Sequence, residues 1–81
     1  MGKERVDEIG KQCGLTAANQ RILFDILGEL GYHHNNSKKR EQAIKKRTRG
    51  NPNARKIKLA LIQVIEEYLR IQKLDKLRGF P

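Results

Sequence analysis

The chain has 81 residues, of which 37% are hydrophobic and 33% charged, with a formal net charge of +9 at pH 7. This length allows one small domain with a thin hydrophobic core, so we expect a single domain over residues 1–81. The chain has one cysteine, which excludes an internal disulfide and a cysteine-based metal cage and fits a reducing, cytoplasmic location.

The apolar residues recur at helical spacing along the whole chain, and none of them alternates as the residues of a strand would. The sequence therefore predicts an all-α fold, a small bundle of about four helices. We expect the first helix over residues 3–13, where Val6, Ile9 and Cys13 lie on one face. Gly14 follows at the position where a glycine commonly ends a helix.

The second helix is expected to start after Thr16, whose hydroxyl can cap it, and to end at Gly31. Gly28 lies inside this helix and costs about 1 kcal/mol relative to alanine, which suggests a close helix contact there. The predicted buried stripe consists of Ala18, Ile22, Leu23, Ile26, Leu27 and Leu30.

A third, basic helix is predicted over residues 38–49, after a loop and a cap at Asn36 or Ser37. Its apolar residues are Ala43 and Ile44 alone. So small an apolar anchor contributes little burial, and the sequence leaves open whether this helix is ordered in the free protein.

The last helix is predicted from Ala54 to Lys76, after a turn signal at residues 50–53. Its apolar face spans roughly 200° of the helix, which is wider than a surface helix needs. The helix is therefore either the central one of the bundle or part of a homodimer interface, and Leu59, Leu74 and Leu77 beside the face favour the dimer. The face consists of Ile57, Leu61, Ile62, Val64, Ile65, Tyr68, Leu69 and Ile71.

Residues 33–58 contain ten Lys and Arg residues and one acid, so this segment carries a net charge equal to that of the whole chain. Concentrated like charge destabilises a compact state, which indicates an anionic partner such as a phosphate backbone. On a helix the charges surround most of the circumference, an arrangement that suits a groove between two rows of phosphates and lacks the apolar face of a membrane-surface helix. The predicted phosphate-binding residues are Lys38, Lys39, Arg40, Lys45, Lys46, Arg47, Arg49, Arg55, Lys56 and Lys58. Among them Arg40, Arg47 and Arg49 best suit guanine edges.

Residues 6–23 carry Ile9 at a buried position, Gly10 at a helix crossing, Gly14 in a tight turn, Leu15 after it and Thr16 at the start of the next helix. This pattern resembles the promoter-reading helix-turn-helix of bacterial sigma factors. The resemblance implies that the second helix faces DNA bases, with Thr16, Ala17, Asn19, Gln20 and Arg21 as the reading residues. The sequence departs from the pattern at Gln20, where a branched apolar residue is usual.

The predicted function is DNA binding, in transcriptional regulation or as an accessory factor in replication or mobile-element control. The alternatives are RNA binding through the same basic helix and a protein-interaction module that uses the apolar face of the last helix. We expect duplex DNA to be preferred to RNA and expect no membrane partner. No catalytic motif is present, and the adjacent His33 and His34 lack the spacing of metal ligands, so we expect no enzyme activity, no metal and no cofactor.

Overall fold

The computed structural model describes the backbone of residues 2–78 and, apart from Tyr32, the side chains of residues 2–73. It confirms the predicted all-α class. The elements are α1 (Lys3–Gln12), α2 (Ala17–Leu30), α3 (Ser37–Thr48) and α4 (Ala54–Arg78), with one 3₁₀ turn at Gly31–His33 where the sequence predicted part of a loop. Each helix boundary lies within two residues of its prediction.

Two of the predicted caps are present. The Thr16 hydroxyl accepts a hydrogen bond from the Asn19 amide at 3.3 Å, and the Asn36 side chain accepts one from the Lys39 amide at 3.1 Å. At the other ends, Gly14 and Gly31 adopt positive φ angles of 80° and 52°. Each cap satisfies a backbone N–H that the first turn of a helix leaves without an intrahelical partner.

The helices α2 and α4 form the centre of the bundle, because each packs against the other and against both α1 and α3. Leu23 and Ile26 of α2 are fully buried between them, together with Ile57 and Leu61 of α4. The breadth of the apolar face of α4 is thereby explained, since α1, α2 and α3 all pack on it and leave only part of it, such as Leu69, exposed. This position is the first of the two roles that the sequence left open for α4.

The homodimer predicted through α4 stays a prediction, because this helix packs on α1, α2 and α3 and still keeps exposed apolar side chains. The exposed apolar side chains in the described part of α4 are Leu59, at 55% of its maximal surface, and Leu69, at 38%. The side chains of Leu74 and Leu77, which favoured the dimer in the sequence, lie outside the described residues.

The prediction for the buried stripe of α2 is wrong at Ala18, which is exposed. Asn19 and Gln20 are buried in its place, at 6% and 9% exposure. The reason is helical geometry, because positions three and four residues before the buried Leu23 share its face whatever their polarity.

The first and last helices are joined by an ion pair that the sequence did not indicate. The Arg5 guanidinium donates to both carboxylate oxygens of Glu67, with Nε–Oε2 and Nη2–Oε1 distances of 2.8 Å. This hydrogen bonding holds the pKa of Glu67 below its ordinary value. The two-point geometry fixes α4 against α1 in a single orientation.

Leucine truncation tests the central position of α4. Leu61→Ala removes a fully buried side chain and should lower the free energy of unfolding by about 2–5 kcal/mol in urea denaturation. Leu59→Ala, two residues before it and on the outward side of the same helix, should change it by less than about 0.5 kcal/mol. Equal effects of the two variants would contradict the placement of the core.

Glycine substitution tests a second point of the fold. The expected close helix contact at Gly28 is absent, since no described atom lies within 4 Å of a Cβ built there. Gly28→Ala should therefore raise the free energy of unfolding by roughly 0.5–1 kcal/mol through helix propensity. Gly14→Ala should lower it by about 1–2 kcal/mol, because Gly14 has a left-handed backbone. Thermal denaturation monitored by circular dichroism checks the opposite signs.

Candidate nucleic-acid interface

The basic helix α3 packs on the bundle through one narrow seam of Ala43, Ile44 and Thr48, which are at most 7% exposed. The Thr48 hydroxyl donates to the carbonyl of Ile44, so the one polar side chain in the seam has its partner within α3. The sequence predicted charge around most of the circumference of α3, and the seam leaves less of that circumference free for an external partner. One side of the helix is occupied by the protein itself.

The opposite side of α3 carries an outer row of cations. Lys38, Lys45 and Arg49 follow one another at intervals of seven and four residues, which places them on a single line along the helix. All of them are exposed, as is the neighbouring Lys39. The side chains of Lys45, Lys46 and Arg49 line a shallow groove at the C-terminal end of this row.

Three of the ten predicted phosphate-binding residues are engaged in ion pairs within the protein. The Lys46 ammonium lies 3.0 Å from Glu29, and the Arg47 guanidinium lies 3.6 Å from Glu29 and 3.9 Å from Asp25, both acids on α2. Lys58 of α4 lies 3.1 Å from Glu41 of α3. Arg47, one of the three predicted guanine-binding arginines, is thus turned toward α2.

The other seven predicted residues make no ion pair with an acid in the described part of the chain. Arg40 is among them but is partly buried beside the seam. The remaining six are exposed on α3, on the residue that follows it and on the first turn of α4, and we call them the cationic surface: Lys38, Lys39, Lys45, Arg49, Arg55 and Lys56. Of the ten predicted residues, these six are exposed to an external anion that need not first displace an acid in the described part of the chain.

The five residues that the helix-turn-helix resemblance assigned to base reading divide into two groups. Thr16, Ala17 and Arg21 are exposed at the start of α2. Asn19 and Gln20 are buried, so their assignment as base-reading residues is wrong.

Gln20 occupies a packing position where α1 and α2 cross. Its Cγ would lie 3.3 Å from a Cβ at Gly10, so only a glycine fits there without a shift of the neighbours. The Gln20 amide donates to the carbonyl of Asp7 at 3.4 Å. Gln20 therefore fills, with its aliphatic part, the buried position at which the helix-turn-helix pattern has a branched apolar residue.

Asn19 joins α2 to the turn between α3 and α4. Its side-chain carbonyl accepts a hydrogen bond from Asn51 at 3.0 Å, and the Asn51 side chain in turn accepts one from the amide of Asn53 at 2.8 Å. The sequence marked Asn51 only as part of a turn signal. In the structure it holds the turn that carries the last cations of α3 and the first of α4 against the first turn of α2.

The start of α2 consequently lies at the same end of the bundle as the α3–α4 turn and the first turn of α4. The exposed Thr16 and Ala17 belong to the helix turn that Asn51 contacts through Asn19. The Lys56 ammonium lies beside the α1–α2 turn, 3.7 Å from the position of a Cβ on Gly14. Helix two and the basic segment thus form adjoining parts of one surface.

Glu29 is the acid that contacts both Lys46 and Arg47, beside the cationic surface. Hydrogen bonding from Lys46, followed by the charges of Lys46 and Arg47, holds the pKa of Glu29 below its ordinary value of 4.5. The carboxylate is therefore ionised across the neutral range and offsets the two cations beside it. The sequence signal for this role is the spacing of Asp25 and Glu29, four residues apart on one face of α2.

The residues considered as metal ligands or nucleophiles have ordinary surroundings. The His34 ring stands edge-on to Tyr68 at 4.7 Å, and its Nδ1 lies 3.2 Å from the carbonyl of Gly31. The partly buried Cys13 thiol lies 3.7 Å from the amide oxygen of Gln63. Among the described residues, no three His, Cys, Asp or Glu side chains come together as a metal site, and no described helix is long and apolar enough to cross a membrane.

Comparison of the chain with protein-family models, with curated proteins and with solved structures gives no match. The functional inference therefore depends on the geometry and charge of the chain's own residues.

The lowered pKa of Glu29 predicts the pH dependence of stability. Because the folded pKa lies below the unfolded value of 4.5, the stabilisation is present above pH 4.5 and is lost as the pH falls through the folded pKa. Glu29→Gln should lower the melting temperature at neutral pH, and the difference from the wild type should disappear in acid. The exposed Glu66→Gln should give a smaller difference. A Glu29→Gln difference independent of pH would contradict this assignment.

Proposed function

We propose that this chain binds duplex nucleic acid, DNA in preference to RNA, by docking the cationic surface on the phosphate backbone. One observation carries the proposal. Six exposed cations lie on α3, on the residue after it and on the first turn of α4, and none has an acid partner among the described residues. Their mutual repulsion raises the free energy of the folded state, and a polyanion reverses that cost on binding.

The surroundings of these cations favour a phosphate backbone over a membrane surface. A helix that lies on a membrane needs an apolar face beside its charges. The apolar residues of α3, Ala43 and Ile44, are buried in the bundle, and Gln42 separates Lys38 from Lys45 on the outer row. The exposed side of α3 therefore has nothing to insert among lipid chains.

The same packing favours duplex DNA over RNA and over single strands. Arginine-rich segments that bind structured RNA commonly fold on binding, whereas α3 is already a helix packed on α2 and α4. Single-strand binding uses exposed aromatic side chains for stacking, and the cationic surface contains none. A helix that offers one row of cations suits the outside of a duplex, where phosphates line the edge of a groove.

The resemblance of residues 6–23 to a helix-turn-helix supports a reading role for the start of α2. Thr16, Ala17 and Arg21 are the members of the predicted reading set that are exposed there. With the backbone held by Arg49, Arg55 and Lys56 at the same end of the bundle, these side chains would face base edges. This division of labour fits a cytoplasmic transcriptional regulator or an accessory factor of replication or mobile-element control.

A second candidate is a protein-interaction module that uses the outward side of α4, by homodimerisation or with another protein. It is favoured by the exposure of Leu59 and Leu69 on that side. Sedimentation equilibrium distinguishes the candidates, since a homodimer that is weakened by Leu59→Gln would favour this one. A monomer that binds duplex DNA favours the first.

A double substitution on the cationic surface tests the proposal. Lys45→Ala with Arg49→Ala should weaken binding to duplexes of any sequence, because both side chains contact phosphates. Loss of two phosphate contacts should reduce the slope of log affinity against log salt by about 1.8. The double variant Arg70→Ala with Lys73→Ala removes the same two charges from exposed sites in the C-terminal part of α4 and should leave the slope near the wild-type value. Equal slopes for the two double variants in fluorescence anisotropy titrations would contradict the proposal.

A further inference from the structure

The acids Asp25 and Glu29 lie one turn apart on α2 and face the side of α3 next to its outer row. Glu29 contacts Lys46 at 3.0 Å and Arg47 at 3.6 Å, so a single carboxylate faces two cations. Asp25 adds a second contact to Arg47 at 3.9 Å. Glu29 is the less exposed of the two acids, with 30% of its side-chain surface accessible against 52% for Asp25.

These ion pairs do not compensate for the burial of a charge, because they lie at the surface in contact with water. The Lys46 side chain is 71% exposed, and exposed ion pairs contribute little to stability. Their effect on the surroundings is larger, because the carboxylates lower the positive potential on this side of α3 and repel a phosphate that approaches from α2. Lys45 and Arg49, which share a groove with Lys46, have no such acid among the described residues.

We propose that Asp25 and Glu29 set the α2-side edge of the nucleic-acid footprint. The phosphate backbone follows the outer row of α3 and continues to Arg55 and Lys56, while Lys46 and Arg47 remain paired with α2 and contact no phosphate. This boundary removes Lys46 and Arg47 from the ten predicted phosphate-binding residues, although composition alone cannot distinguish them from the other eight. The inference rests on the proposed duplex binding and specifies which surface carries it.

Glu29→Gln is the decisive variant, since it removes the acid and keeps the size of the side chain. Lys46 then loses its ion-pair partner. Its ammonium group, which in the wild type is held by Glu29, is free to contact a phosphate in the groove that Lys45, Lys46 and Arg49 line. One added phosphate contact should steepen the slope of log affinity against log salt by about 0.9. Between 50 and 200 mM salt the affinity of the variant should consequently fall about three- to fourfold more than that of the wild type.

The matched control is Glu66→Gln, which gives the same change in net charge at an exposed acid on α4. It should leave the salt slope at the wild-type value. Equal steepening by both variants would overturn the inference, because it would indicate a general effect of net charge. Weaker binding by Glu29→Gln would overturn it too, because the carboxylate would then be positioning cations for contact with phosphate.

A second pair of variants keeps the test independent of whether Glu29→Gln folds. Arg47→Gln should leave the slope of duplex binding unchanged, whereas Arg49→Gln should reduce it by about 0.9. A reduction by Arg47→Gln as large as that by Arg49→Gln would overturn the inference. Failure of the wild-type protein to bind any duplex would instead refute the proposed function, so the two failures are distinguishable.

Discussion

The packing of α3 on α2 and α4 is the contact on which the rest of this structure depends. A helix with a strongly positive outer side is held there by a seam of Ala43, Ile44 and Thr48, together with ion pairs from α2. The seam is narrow, and the cations near it repel one another. Packing of α3 on the bundle nevertheless holds its cations in a row with fixed spacing. A fixed row loses less conformational entropy than a flexible segment when it binds a rigid polyanion.

Polar side chains between the helices fix the position of the α3–α4 turn and of α2 at the end of the bundle. Asn19 and Asn51 bond to each other across α2 and the α3–α4 turn, and Gln20 seats α2 on Gly10 of α1. In the described part of the chain, no buried side-chain nitrogen or oxygen lacks a partner. Residues whose chemistry suits base edges are thus used to join elements, while their neighbours Thr16, Ala17 and Arg21 are exposed.

The sequence predicted the elements well because their limits are set by local chemistry. Gly14 and Gly31 end helices and Thr16 caps one, and each acts through its own backbone neighbourhood. The partners of the faces were harder to predict. The breadth of the apolar face of α4 did not reveal whether three helices or a second chain covers it. In α2, residue type predicted that Ala18 is buried, whereas the buried residue is its polar neighbour Asn19. The pairing of Arg47 with Asp25 and Glu29 depends on the alignment of α2 with α3, which no local pattern specifies.

We have proposed that the cationic surface binds the backbone of duplex DNA. The most direct test is the affinity of the wild-type protein for random-sequence duplex DNA, single-stranded DNA and structured RNA of equal length, each titrated over a range of salt concentrations. We expect the duplex to bind most tightly, with a log–log salt slope no steeper than about −5.4, as contacts from six cations allow. Preference for structured RNA or single strands, or an absence of salt-dependent binding to the duplex, would contradict it.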